Sequence, residues 1–211
     1  MQTAPNAHAI HADASNRFVL ATSLGGDNVS SWRFDAEKGL LSANEPPLTQ
    51  GASKSGPRHF VWDKAQRRVY LLNELDASLH VYGWDAARGT LKHEQSTTTL
   101  PPGFTGKPWA ADLHLTPDGR FLYASERTSS TLSAFRVDAS TGQLKPLGQT
   151  PTEKTPRGFA IDSSGRYLIA AGQESHSVAL YAIDPATGAL DKPARISVGK
   201  NPNWIEIVDT P

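Results

Sequence analysis

The stretch GRFLYASERTSSTLSAFRVDASTGQL, residues 119–144, decides the fold. Phe121 to Ser125 is rich in strand-forming residues and ends in a polar turn. Leu132, Ala134 and Arg136 then alternate with Ser133, Phe135 and Val137, the two-residue period of a strand with unlike faces. Asp138 to Gly142 follows as a DxxxG hairpin turn, with glycine where the backbone needs a positive φ. LKPLGQTP, residues 144–151, supplies an outer strand, and DLHLTP, residues 112–117, an earlier one joined through the turn PDGR. One segment of sequence thus encodes four short strands in a row.

The pattern is written four times. The arginine that opens the second strand recurs as Arg17, Arg67, Arg120 and Arg166, about every 50 residues. Downstream the register holds at Val29, Leu79, Leu132 and Val178, and at the aromatics Trp32, Tyr82, Phe135 and Tyr181. It holds again at Asp35, Asp85, Asp138 and Asp184, at Gly39, Gly89, Gly142 and Gly188, and at Leu41, Leu91, Leu144 and Leu190. Four-stranded units of this period are the blades of a β-propeller. The fold class is therefore all-β: one propeller region over 1–211, with blades at about 7–50, 56–100, 108–150 and 155–199. NPNWIEIV, residues 201–208, aligns with the first strand of a fifth unit, Pro202 matching Pro57 and Pro156. A propeller leaves no blade face or strand edge open once its ring is closed. Four blades and one strand are therefore expected to be the C-terminal part of a longer, incomplete ring; the alternatives are a compact four-blade ring or closure by a second chain.

Composition excludes several classes of function. Lys plus Arg and Asp plus Glu are both 21, so no basic footprint for nucleic acid or a membrane surface exists. Cysteine is absent, which removes disulfides, thiolate metal sites and cysteine nucleophiles together. The N-terminal MQTAPNAHAIHADAS has no basic region followed by an apolar one, and no apolar run reaches the roughly 18 residues that span a bilayer. The expectation is a soluble cytoplasmic protein of unspecified oligomeric state.

Repeat-equivalent positions converge in a propeller, because each first strand lies innermost. Position two of the first strand reads His8, Arg58, Ala111, Arg157 and Asn203. The end of the second strand reads Leu24, Glu74, Arg127 and Gln173, and the insert before the third unit adds Lys107, Trp109, Asp112 and His114. A single Arg after Pro is ordinarily a surface cation or a blade-to-blade ion pair. Two Arg and a His at one repeat position point instead to an anion-binding pocket, since gathered like charges call for an anion. Glu74 is the carboxylate available there as a partner or base. His8 and His11 fall on opposite faces of a strand and are not a metal pair. No nucleophile elbow, dinucleotide fingerprint or phosphate loop is present. Asp118 reads as a turn residue; His59, His80, His93 and His176 as surface or packing residues; Trp32, Trp62 and Trp84 as blade packing; Trp109 and Trp204 as either.

GPRHFVWD with YLLNELDASLHVY, WAADLHLTPDGRFLYASERTSSTL, PRGFAIDSSGRYLIAAGQESHSV and VGKNPNWIEIV together resemble the propeller-type 6-phosphogluconolactonase family, the bacterial cycloisomerase-2-like lactonases. The resemblance runs from about His8 to Val208. It implies a seven-bladed propeller and hydrolysis of 6-phospho-D-glucono-1,5-lactone to 6-phosphogluconate, with no metal or organic cofactor; the balanced charge adds the expectation of no nucleic-acid or membrane partner. The carboxymuconate cyclases related to that family have a His, Arg, Glu and Arg cluster, which would fall on His8, Arg58, Glu74 and Arg157. On that reading Arg58 and Arg157 hold anionic groups or the oxyanion, and Glu74 or His8 is the general base. Asp112, His114, Arg127 and Lys107 are further substrate-binding candidates. Where many family members carry Asp-Leu-Gly this chain has Ser23-Leu24-Gly25, so no carboxylate role carries over there. The rival functions are turnover of another lactone, as by a muconolactone cyclase, and a non-catalytic interaction scaffold; as four blades of a longer ring, the chain by itself is also weighed as an inactive fragment.

Overall fold

A computed structural model describes residues 3–209, apart from the side chains at 192 and 193. Its strands form four antiparallel four-stranded sheets, each in sequence order. The first holds β1 (Ala7–Ala12), β2 (Phe18–Ser23), β3 (Asn28–Asp35) and β4 (Leu40–Gln50). The second holds β5 (Pro57–Trp62), β6 (Arg68–Asn73), β7 (Ser78–Asp85) and β8 (Thr90–Thr98). The third holds β9 (Ala110–Leu115), β10 (Phe121–Glu126), β11 (Thr131–Val137) and β12 (Leu144–Pro151). The fourth holds β13 (Pro156–Ile161), β14 (Tyr167–Gly172), β15 (Ser177–Ile183) and β16 (Leu190–Ser197). The chain divides into two compact units, one up to Thr97 and one from Thr98.

The turns explain the repeat. In all four sheets the DxxxG aspartate turns back on itself: Oδ1 of Asp35, Asp85, Asp138 and Asp184 accepts the amides two and three residues on. The glycine then takes φ of 64°, 69°, 67° and 78° at Gly39, Gly89, Gly142 and Gly188. These hydrogen bonds hold the Asp138 carboxyl far below the usual range, the Ser140 hydroxyl contributing most. A second aspartate closes the first hairpin. Asp13, Asp63 and Asp162 each accept the amides four and five residues on with one carboxylate oxygen. In the third sheet Thr116 Oγ1 takes the Phe121 amide at 3.1 Å and Asp118 takes the Arg120 amide at 3.0 Å. Asp118 is thus a turn residue.

Within each unit two sheets pack in the same way. In the first, Phe18, Leu20, Val29, Phe60, Leu71 and Trp84 are among the buried core. Trp84 meets Trp62 edge-on at 4.8 Å between ring centroids. In the second, Phe121, Tyr123, Phe159, Leu168 and Tyr181 form the corresponding cluster. Each fully buried side chain of this size contributes about 1.5–3 kcal/mol. The DxxxG glycine of one sheet seats the phenylalanine of the other. A Cβ on Gly89 would lie 2.2 Å from Phe18, and one on Gly188 would lie 2.4 Å from Phe121. The central strands β2 and β10 are buried along their whole length, whereas β4 and β12 are largely exposed.

Residues 201–208 differ from expectation: they form no strand. A strand needs a hydrogen-bonded neighbour, and no described strand pairs with this segment. It packs against β13 instead. The Asn203 carbonyl would lie 2.7 Å from a Cβ on Gly158, and Trp204 is 62% exposed.

Candidate functional site

The repeat position that gathers His8, Arg58, Ala111 and Arg157 is a β-bulge in every sheet. In β5, Pro57 pairs with Asn73 and His59 with Leu72, so Arg58 is the extra residue. In β13, Pro156 pairs with Gly172 and Gly158 with Ala171, which makes Arg157 the extra one. The ladders of β1 and β9 slip between Ala7 and Ile10 and between Ala110 and Leu113. Hydroxyls cover two of the slips: Thr22 Oγ1 accepts the Ala9 amide and Ser125 Oγ accepts the Asp112 amide. A bulge re-aims the side chain it carries and bends the strand. Local backbone geometry therefore sets these residues apart from the alternation around them.

In the first unit the bulge places Arg58 in a buried cluster. Its side chain is 4% exposed, and Nε donates to Glu74 Oε2 at 2.6 Å. Nη1 lies 3.1 Å from Nε2 of His59. A buried pair of this kind is costly to break, because removing one member strands the other's charge. The His8 ring centroid is 6.5 Å from that of His59. His8 Nδ1 lies 3.1 Å from the Asn6 carbonyl oxygen. A carbonyl only accepts, so Nδ1 carries the proton and Nε2 presents its lone pair. Partial desolvation, and then the Arg58 charge, hold the His8 pKa below its ordinary value; the Asn6 hydrogen bond and Glu74 oppose this.

In the second unit the carboxylate partner is a histidine. Asp112 is 3% exposed; Oδ1 accepts the Leu113 amide at 3.0 Å and Oδ2 accepts the Phe159 amide at 3.3 Å. Oδ2 is also 3.2 Å from His114 Nε2, whose side chain is 35% exposed. The His114 ring stands edge-on to Phe159 with centroids 4.7 Å apart. The Arg157 guanidinium, two residues before Phe159 on β13, makes no hydrogen bond or ion pair with another described residue.

Other expected site residues have different surroundings. Arg127 is 4% exposed, and it donates to the Trp109 carbonyl at 3.0 Å and the Ala110 carbonyl at 2.9 Å. Its guanidinium carbon lies 3.9 Å from the Trp109 ring centroid. Those contacts clamp the start of β9. Lys107 is exposed in the loop before β9. Two groupings were not legible. His59, read as a surface or packing residue, sits against Arg58; its repeat equivalent is Asp112, so the position after the bulge carried the signal. His80 and His93 share Ser96 Oγ, at 3.2 Å from His80 Nδ1 and 2.8 Å from His93 Nε2. Burial, and then His93, lower the His80 pKa.

Sheets of this strand order, repeated with a common bulge and common turns, are the blades of a β-propeller. The chain belongs to the family described as "Lactonase, 7-bladed beta-propeller", whose model matches residues 1–207. It is 42% identical over 201 residues to a 6-phosphogluconolactonase of Pectobacterium carotovorum, an alignment covering 95% of this chain and 60% of that protein. It is 39% identical over 206 residues to the 6-phosphogluconolactonase of Serratia proteamaculans, covering 98% of this chain and 61% of the relative. The chain thus spans about three fifths of the length of these relatives. Among solved structures it is similar to the periplasmic gluconolactonase of Pseudomonas aeruginosa, with a TM-score of 0.87 and 32% identity, covering 92% of this chain and 55% of that one. A protein from Lactobacillus plantarum matches with a TM-score of 0.88 and 27% identity over 94% of this chain and 57% of its own. No helix among the described residues is long and apolar enough to cross a membrane.

Proposed function

We propose that the whole protein hydrolyses 6-phospho-D-glucono-1,5-lactone to 6-phosphogluconate, the second step of the oxidative pentose phosphate pathway. The single observation that carries the reading is Arg157. A bulge positions it, its guanidinium pairs with no described side chain, and a second bulged arginine, Arg58, occupies the equivalent place in the first unit. The substrate brings the anion that such a guanidinium lacks. Its phosphate suits the planar, bidentate fork of arginine. Arg58 is already braced by Glu74 at 2.6 Å. Relatives named 6-phosphogluconolactonase at 42% and 39% identity support the substrate class. The proposed setting is the cytoplasm, because a phosphorylated sugar is too polar to leave the compartment in which it is made.

Likeness to the periplasmic gluconolactonase favours a second reading, a lactone without phosphate. One experiment separates the two. Initial rates are measured on both lactones in the full-length protein, corrected for spontaneous hydrolysis. Losing a hydrogen-bonded ion pair costs about 1.5–3 kcal/mol. Arg157→Ala should therefore lower kcat/KM on the phosphorylated lactone by about 10–100-fold, mainly through KM. The same substitution should leave the unphosphorylated lactone's rate within about twofold. Equal effects on both lactones would favour the second reading, and no effect on either would remove the anion site.

A further inference from the structure

The lactone chemistry needs a group to take a proton from water, and the carboxylate expected to do so is occupied. Glu74 Oε2 receives Arg58 Nε at 2.6 Å in a buried pair. A carboxylate locked to a guanidinium is a weakened proton acceptor. Among the described residues, the His8 ring has a backbone carbonyl as its hydrogen-bond partner and no carboxylate. The second unit holds a better-built group. We infer that His114 is the general base of the reaction and that Asp112 is its positioning residue. The inference rests on the lactonase reading given above.

Four features of the pair support the assignment. First, Asp112 is buried, and its two oxygens accept the Leu113 and Phe159 amides, so the carboxylate is fixed in place. Second, a carboxylate accepts only. His114 Nε2 at 3.2 Å must therefore carry the hydrogen, which leaves the lone pair on Nδ1. Third, Nδ1 makes no hydrogen bond to a described residue, and the side chain is half-buried rather than enclosed. Fourth, the Phe159 edge contact fixes the ring plane. A buried carboxylate that sets tautomer and orientation while the other nitrogen keeps its lone pair is the arrangement by which enzymes make imidazole a base. Phe159 and Arg157 lie on the same strand, β13, so the proposed base and the unpaired guanidinium belong to one pair of first strands.

In the step so assigned, the water oxygen bonds to the lactone carbonyl carbon as its proton passes to Nδ1 of His114. The tetrahedral intermediate then collapses. The bond from that carbon to the ring oxygen breaks, and the proton on Nδ1 passes to the departing oxygen. The product is the open-chain hydroxy acid, with no co-reactant other than water. Asp112, 3.2 Å from Nε2, stabilises the imidazolium between the two transfers.

The test uses the full-length protein with His114→Gln, His114→Ala and Asp112→Asn, each checked for an unchanged unfolding midpoint. His114→Gln should lower kcat by about 10²–10⁴-fold, the worth of a positioned general base, with KM changed by less than about threefold. Imidazole added to His114→Ala should restore part of the lost rate, which a packing role would not allow. Asp112→Asn should lower kcat and displace the pH profile, since an amide cannot select the tautomer. A folded His114→Gln protein with unchanged kcat would overturn the inference while leaving the lactonase reading intact. A wild-type protein inactive on both lactones would overturn both.

Discussion

Gly188→Ala should destabilise the protein far more than Gly119→Ala, although both glycines have positive φ, at 78° and 74°. The substitutions share one cost: an L-residue in the left-handed region loses about 1–2 kcal/mol. Around Gly119 nothing lies within 4 Å of the new Cβ, so that cost stands alone. At Gly188 the new Cβ would be 2.4 Å from Phe121 Cδ1, 2.6 Å from Cε1 and 3.0 Å from Cγ. Ordinary carbon contacts are about 3.5–4.0 Å, so the ring would have to retreat by more than about 1 Å. It has little room. Phe121 is 1% exposed, and Arg120 and Arg136 lie 5.4 and 4.8 Å from its ring centroid. Overpacking of this kind adds about 1–3 kcal/mol, which brings the total to about 2–5 kcal/mol against about 1–2 for Gly119. Equilibrium urea unfolding of the two variants measures the difference. Phe121→Leu in the Gly188→Ala background should recover part of it as a coupling energy. Equal losses at both glycines, or no coupling with Phe121, would refute the view that the glycine is a socket rather than only a turn.

Arg127→Ala should destabilise by about 2 kcal/mol, since two buried carbonyls lose a charged donor, while KM for the lactone stays within about twofold. A large KM effect would return Arg127 to the binding site. The pH dependence of stability should show two windows. Burial first, then neighbouring charge, lowers the folded pKa values of His8, His11 and His80 below 6.5. The unfolded chain then binds protons that the folded one refuses, so stability falls as pH drops below about 6.5. At Asp13 and Asp162 burial acts to raise the pKa but is outweighed by hydrogen bonds, chiefly from Ser15 and Ser164, so both are lowered. Their contribution is complete above the unfolded value of about 3.9 and is lost as pH falls through the folded one. Thermal unfolding followed from pH 8 to pH 3 should show both declines, and a flat profile between pH 7 and 5 would contradict the histidine part.

The propeller repeat was legible because turns demand particular residues at fixed offsets. Asp at the start of DxxxG accepts two amides and Gly supplies the positive φ, and neither requirement tolerates drift. The bulge was half legible. Position two of the first strand stood out by its charges, but the slip that sets it apart is a backbone event with no residue signature beyond the preceding proline in two sheets. The surroundings of Arg127 were hidden for a related reason. Its aligned position ends the second strand as Glu74 does, yet its length lets it fold back onto the Trp109 and Ala110 carbonyls. Thr116 hides the hairpin aspartate of the third sheet by doing its work with a hydroxyl. The strand expected at 201–208 matched in sequence but not in pairing, because a ladder depends on a partner that no pattern within the segment encodes.

The bulge also bears on how such a chain changes over evolutionary time. A residue within a ladder is tied to its neighbours on two faces, so altering its size or charge disturbs the sheet. The extra residue of a bulge stands outside that exchange. His8, Arg58, Ala111 and Arg157 differ in charge, length and polarity, yet all four sheets keep the same strand order. Each blade therefore offers one address where specificity can be rewritten while the scaffold stays as it was.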